Sequence, residues 1–379
     1  MSVLNSYKVL DLTAEKGWFC GKLLADLGAE VVRVQMPGDQ ECPVYANTGK
    51  HSITLNIHSA PGQALFSRLA TEFDIIVESF TPGWLASLGL DFEHLQMVNP
   101  RLIMVSITDF GQSGPYRNYR SAELIDSALG GQAGLSGERS GPPLKPYGTQ
   151  TCNTAGLFAA NGVMLALLHR QATGKGQYLD ISIQECTAAA LDHALVRYFY
   201  NATVAGRTGD LYWNHAFRIF PCRDGYISLS FLQHFETLVE LLEAEGLAAD
   251  LKEAQWRDAS VRLQNIDHII EVLATWTRHH TAEELMELGQ LMHFPWAKVA
   301  TMPDVVSNPQ LNARGYFTAA SDAAGRCYQF PGAPVKMSGS PWRVNSQIAP
   351  PGEYNAEIYQ RRLRLTPSEI AKLKADGVI

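Results

Sequence analysis

No run of lysines and arginines occurs anywhere in these 379 residues, whose 31 basic and 38 acidic side chains leave a formal net charge of -7. Without a basic stripe there is no electrostatic footprint for a nucleic-acid backbone or an anionic membrane, so neither is expected as a partner. No Cys-x-x-Cys pair appears among the six scattered cysteines, Cys20, Cys42, Cys152, Cys186, Cys222 and Cys327. This removes the common zinc and dithiol motifs and leaves free, mostly buried thiols as the expectation. The first eight residues lack the basic start and apolar stretch of a leader, and no run approaches the ~20 apolar residues that span a bilayer. A cytoplasmic, reducing compartment is expected on both counts.

Cofactor loops are missing too. The first β-α turn, Leu12-Thr-Ala-Glu-Lys-Gly-Trp-Phe19, puts bulky residues where a dinucleotide pyrophosphate needs bare backbone. Thr48-Gly-Lys-His-Ser52 has neither the spacing of a P-loop nor a Ser/Thr directly after its lysine, and Gly111-Gln-Ser-Gly114 and Gly134-Leu-Ser-Gly137 miss the nucleophile-elbow spacing by one residue. The last two read as turns. His279-His280 lies in a polar stretch and reads as solvated surface. Asp192 and His193 are sequence neighbours that do not face each other on a helix, so a structural role is favoured over a dyad. No His/Asp/Glu/Cys set has ligand spacing, and no metal is expected.

What is present is the balance of a globular enzyme, with 46% apolar and 18% charged residues. The length exceeds what one core usually holds, and two lobes are expected. Tyr7-Lys-Val-Leu-Asp-Leu12, an amphipathic stretch to Leu27, Gly28 as a C-cap, and Glu30-Val-Val-Arg-Val34 read β-α-β. Strand-like runs recur at 74–78, 102–107 and 178–183, with a helical pattern at 61–72 and a small-residue helix at 154–170. A long helix is expected from Glu185. Strands alternating with helices indicate a doubly wound α/β sheet. Residues 205–315 carry their own strand and amphipathic helices. Thr366-Pro-Ser-Glu opens a last helix with a capping pattern.

Eight phrases, in order, carry a resemblance. They are Val9-Leu-Asp-Leu-Thr13, Leu24-Ala-Asp-Leu-Gly-Ala-Glu-Val-Val-Arg-Val34, Val77-Glu-Ser-Phe-Thr-Pro-Gly83 and Asn99-Pro-Arg-Leu-Ile103; then Phe110-Gly-Gln-Ser-Gly-Pro-Tyr116, Thr173-Gly-Lys-Gly-Gln177 leading into Leu179-Asp-Ile-Ser-Ile183, Asn308-Pro-Gln-Leu-Asn-Ala-Arg-Gly315 and Phe330-Pro-Gly-Ala-Pro334. Over essentially the whole chain the sequence resembles the family III CoA transferases, the group that includes formyl-CoA:oxalate, crotonobetainyl-CoA and bile-acid CoA transferases. The resemblance implies a Rossmann-like large domain assembled from both chain ends (1–204 and a return segment, 321–379) and a smaller α/β domain between them (205–320). It also implies two protomers interlocked as a dimer, either two copies or a heterodimer with a homologous subunit, as in the two-component benzylsuccinate enzyme.

It further implies chemistry. A carboxylate attacks an acyl-CoA thioester and CoA is finally passed to a free carboxylic acid, with CoA as substrate and no permanently bound cofactor. The family nucleophile is an aspartate, and the matching residue is Glu185, whose extra methylene shifts the carboxylate by ~1.5 Å, a misplacement that can cost ~100-fold in rate. Glu123 matches an acidic position beside it. Lys16 stands at a glutamine position near the thioester, Arg120 at a lysine position and Phe80 in the loop near the adenine; Thr81 and Arg33 belong to the same matched cofactor-binding phrases. Basic residues of the family pocket are replaced by Met36, Ser87 and His58, a tyrosine by Ala122, and a Gly-Asp pair by Thr151-Cys152. Losing three charge-assisted phosphate contacts lowers the expected affinity for CoA. The alternative is therefore a catalytically silent subunit of a heteromeric CoA transferase. Phe199, Tyr200, Tyr212, Trp213, Phe217 and Phe231 are candidate walls of an apolar acyl pocket, with core packing as their commoner fate.

Overall fold

The structure, a computed structural model, describes residues 2–39, 43–191, 193–212, 215, 217–321, 325–344 and 348–379. Cys42, Asp192 and Trp213, singled out above, lie outside the described residues.

Two compact units divide the chain: residues 1–134, 145–205 and 310–379 form the first, and 135–144 with 206–309 the second. The first is organised by six parallel strands, β1 (Lys8–Leu12), β2 (Glu30–Gln35), β3 (His51–Thr54), β4 (Ile75–Glu78), β5 (Ile103–Thr108) and β6 (Tyr178–Ser182), in the order β3-β2-β1-β4-β5-β6. Every residue of β4 and β5 is buried, which is why these strands read as near-continuous apolar runs rather than alternating ones. The period of two still sorts the side chains. Val9, Val31, Ile75, Val77 and Val105 pack with the helices Trp18–Asp26 and Gln150–Thr173, while Leu10, Val32, Ile76 and Met104 pack on the other face with Ala60–Ala70 and the C-terminal Asn355–Leu363 helix.

The chain end is held on the β3 edge of this sheet. The Asn355 side chain accepts from Thr54 N at 2.8 Å and donates to Thr54 Oγ1 at 2.7 Å, and the buried Tyr359 hydroxyl donates to Thr54 O at 2.8 Å. The last helix, Pro367–Ala375, opens with the capping box expected at Thr366 and Glu369.

Two helices differ from the sequence reading. The helix Gln150–Thr173 is, by length and composition, apolar enough to cross a membrane, where no such run was expected. Its apolarity has a source within the fold. Ala155, Ala159, Val163 and Ala166 are buried against the sheet, and Gly156 faces the first helix so closely that an added Cβ would lie 2.9 Å from Phe19 Cβ. Its other side leaves Leu157, Phe158, Leu165 and Leu168 exposed. The long helix expected after β6 is two pieces, Ile183–Ala189 and His193–Asn201. The first closes where Ala190 N donates to both Cys186 O and Thr187 O, a tightened final turn.

In the second unit β7 (Phe217–Pro221), β8 (Tyr226–Ser230) and β9 (Ala297–Lys298) form an antiparallel sheet. Helices Phe235–Ala244, Ile266–Thr277 and Ala282–Leu291 share a core with it that includes Phe220, Phe231, Trp276 and Trp296. Phe231 is thus core here, not a pocket wall. Phe199 and Tyr200 stand in the first unit on a helix with no buried residue, Tyr200 at 91% exposure. His280 faces Glu245, Nε2 to Oε2 2.8 Å.

Candidate active site

Parallel strands deliver their following loops to one edge, and where strand order reverses the loops part and leave a crevice. Here the reversal falls between β1 and β4. The loops after these two strands are tied by Ala14 N donating to Ser79 Oγ at 2.9 Å. A buried network anchors the first loop. Asp11 accepts from Thr13 N (3.0 Å), Thr13 Oγ1 (2.6 Å) and Lys50 Nζ (2.7 Å), and Lys50 Nζ also donates to Trp18 O (3.2 Å).

From this loop Lys16 reaches the residue after β5, Nζ to Asp109 Oδ2 2.6 Å, with the lysine one-third exposed. The Asp109 carbonyl in turn accepts from Gln184 N at 3.0 Å. Glu185 follows, exposed in the first turn of the Ile183–Ala189 helix, its backbone N donating to the N-cap Ser182 Oγ at 3.2 Å. The helix Glu123–Leu129 adjoins, since Gln184 Nε2 donates to Leu129 O at 3.1 Å. Asp126 on that helix is fully buried. Burial pushes its carboxyl up to about 6; the Ser121 hydroxyl opposes the rise, and the Asp109 charge adds to it. Asp109 and Asp126 were not found by sequence reasoning, because nothing local marks them.

Glu123 has another occupation. It accepts from Thr151 N (3.0 Å), Thr151 Oγ1 (2.6 Å) and Cys152 N (3.4 Å), the open N–H groups at the start of Gln150–Thr173. The Thr149 N-cap makes no side-chain bond of its own, so Glu123 caps this helix from outside. Glu123→Ala is expected to destabilise the protein by about 1–3 kcal/mol, read as a lower urea midpoint, with Glu123→Gln recovering part of the loss.

The residues expected to hold CoA separate into groups. Phe80, His58 and Ser87 surround Trp84: ring centroids lie 4.3 Å (Phe80) and 5.2 Å (His58) away, and Ser87 Oγ donates to Trp84 O at 2.7 Å. Thr81 is exposed in the same loop. Arg120 is exposed on the segment before Glu123. Met36 follows β2 and bonds through its backbone N to Asp39. Arg33 is elsewhere, buried within β2 in register with Asp11 and Ser52.

Beside the Lys16 loop lies a cleft of about 450 Å³ walled by Trp18, Phe19, Pro43 and Tyr45, with Glu15, Thr149 and Asn153 supplying polar groups. The nearby thiols are held toward their protonated form by burial. Burial pushes Cys20 up to about 12 and Cys186 up to about 11. Among the described residues no group of three or more His, Cys, Asp or Glu side chains could hold a metal ion.

An open α/β protein, with its charged side chains gathered at the carboxyl edge of a parallel sheet, is the class these features define. The chain belongs to CoA-transferase family III, whose family model matches residues 4–355. It is 32% identical to the succinyl-CoA–D-citramalate CoA-transferase of Chloroflexus aurantiacus, covering 99% of this chain and 98% of that one. It is 31% identical to the succinyl-CoA:(R)-benzylsuccinate CoA-transferase subunit BbsE of Thauera aromatica over 93% of each. A solved CAIB/BAIF family protein from Brucella suis superposes with a TM-score of 0.86 at 26% identity, covering 95% of this chain and 99% of that chain.

Proposed function

We propose that this CoA-transferase moves CoA between the thioester of one dicarboxylic acid and a second free acid, with Glu185 as the nucleophile. The observation that carries the reading is the placement of Glu185: exposed, in the first turn of a helix at the carboxyl edge, one residue beyond the backbone bond that joins this helix to Asp109 and hence to Lys16. A helix N-terminus favours a carboxylate in its ionised, nucleophilic form.

In this reading a Glu185 oxygen attacks the thioester carbonyl, the C–S bond breaks, and the CoA thiolate leaves a mixed anhydride. The thiolate then attacks the glutamyl carbonyl, releasing the first acid and leaving a glutamyl thioester. The second carboxylate attacks that thioester and the thiolate returns to the new acyl group, so neither water nor a net proton enters. The Lys16 ammonium is the positive group available to a carboxylate or a developing oxyanion, and Asp109 holds it in place. The aromatic cleft at Trp18, Phe19 and Tyr45 is the acyl pocket in this scheme. The succinyl substrates named for two relatives support a dicarboxylic acid as donor.

We further propose a Rossmann-like large domain and an interlocked dimer. Support comes from apolar side chains left outside: Leu157, Phe158, Leu165 and Leu168 on one helix, Val196, Phe199 and Tyr200 on another. Such faces mark subunit contacts. The second reading, a silent subunit beside an active partner, is favoured by the neutral Met36 and Ser87 and by His58 where phosphate-binding cations are expected.

Purified chain incubated with succinyl-CoA and quenched with hydroxylamine decides between them. A hydroxamate at Glu185, found by mass spectrometry, is the expected result. No modification, together with no CoA bound at millimolar concentration, assigns the chain to the silent role.

A further inference from the structure

Asp109, Glu123 and Asp126 lie close enough for their charges to act on one another, and their partners are unequal. Asp109 holds the Lys16 ammonium on Oδ2 at 2.6 Å. Glu123 has Lys145 Nζ at 4.0 Å as well as the open N–H groups of a helix start. Asp126 has no exposed surface and a single neutral donor, the Ser121 hydroxyl, on Oδ1. Its Oδ2 is buried with no hydrogen-bond partner among the described residues, and so is Oδ1 of Asp109. Two lysines thus serve three acids, and the acid left over is the most deeply buried one.

A buried carboxylate without a counter-charge is costly, and a group so placed takes up a proton instead. The groups that face Asp126 favour this outcome. Beyond burial itself, Asp109 from the loop after β5 and Glu123 from its own helix push its carboxyl up, while Lys16 from the loop after β1 and the Ser121 hydroxyl pull it down. Cys152 on the long helix Gln150–Thr173 is itself held neutral by burial, and Glu185 and Cys186 are the titratable groups of the adjoining helix Ile183–Ala189. The charge of Asp126 decides what Lys16 can accept. With Asp126 neutral, Lys16 and Asp109 cancel, and the exposed third of the lysine can meet an incoming anion. With Asp126 ionised, the three groups together are negative and repel the same anion.

We propose that Asp126 is a positioning residue for Lys16: by holding a proton it keeps the Lys16–Asp109 pair open to a substrate carboxylate, and by releasing that proton to solvent it closes the pair to anions. The inference rests on the reading of Lys16 as the group that meets the substrate acid. CoA transfer should therefore weaken as pH rises through the range in which this carboxyl ionises, and the change should fall on KM for the acid more than on kcat.

The test needs no turnover, so its failure is distinct from failure of Glu185 as nucleophile, which the hydroxamate reports. Urea unfolding of the full chain is compared with that of Asp126→Asn at about pH 4.5 and about pH 7. The folded chain releases the Asp126 proton at about 6 and the unfolded chain near the model value of 3.8, so the stability this proton supplies is present at low pH and is lost as pH rises between the two. The unfolding equilibrium constant of the parent, taken relative to the variant, is expected to rise ~10-fold or more from the lower pH to the higher. In parallel, calorimetry follows binding of ethane-1,2-disulfonate, a succinate analogue of fixed charge. The parent is expected to bind it ~10-fold more weakly at about pH 7.5 than at about pH 5, and Asp126→Asn to bind it equally, within about twofold, at both. If that variant does not fold, Ser121→Ala, which removes the hydroxyl that opposes the rise, is expected to move the midpoint of the parent's pH dependence upward. Equal pH response of parent and Asp126→Asn in unfolding, disulfonate affinity indifferent to pH in the parent, or no disulfonate binding at either pH would each overturn the proposal.

Discussion

Glu185→Gln is expected to lower the rate of CoA transfer by about a thousandfold or more, because the amide cannot form the anhydride and no other carboxylate stands ready at the same position. Three other carboxylates of this part of the fold are committed. Glu123 caps a helix, Asp109 is paired with Lys16, and Asp126 is fully buried. The substitution is nearly isosteric at an exposed site, so stability should change by less than about 0.5 kcal/mol, and a loss of activity can be read as chemistry. Glu185→Asp separates placement from reactivity. It keeps the carboxylate but withdraws it by one methylene, and a ~100-fold loss is expected if the surrounding loops have settled around the longer side chain. Both variants are compared with the parent in initial rates from succinyl-CoA to a dicarboxylic acceptor. Parent-level turnover by Glu185→Gln would transfer the nucleophile's role to another residue.

How much of this was legible beforehand differs between fold and site. The strands β1, β2, β4 and β5 could be read because a parallel sheet covered on both faces demands short apolar runs, and Gly28 marked a helix end because its φ is +100°. The last helix was visible through its capping box. The Gln150–Thr173 helix misled in length, since Thr, Asn and Gly interrupt its apolar run while close packing at Gly156 makes those small residues useful. The break after Ala189 had no glycine or proline to announce it. Site residues were harder. Lys16 and Glu185 came from resemblance, whereas Asp109 meets Lys16 across 93 positions of sequence, a relation that only the sheet order creates.

The second large effect is expected from Lys50→Met. Lys50 and Asp11 are exposed by 1% and 0% at the side chain, and their 2.7 Å contact lies against the bare backbone of Gly21, where an added Cβ would come within 2.2 Å of Asp11 Oδ2. Removing the ammonium leaves the Asp11 carboxylate in the interior with only the Thr13 donors, and breaking a buried pair in this way costs about 3–5 kcal/mol. The pair as a whole contributes far less, because both charges had to leave water to form it. The double variant Asp11→Asn, Lys50→Met is therefore expected to lose clearly less stability than Lys50→Met alone, a positive coupling that urea unfolding of the four proteins of the cycle measures. Strict additivity would sink the argument. The functional consequence follows the same bonds: Lys50 also holds Trp18 O, and Asp11 holds Thr13, the two ends of the loop that carries Lys16. A chain that survives Lys50→Met should thus show slower CoA transfer out of proportion to its lost stability, because the loop that carries the Lys16 ammonium is no longer fixed.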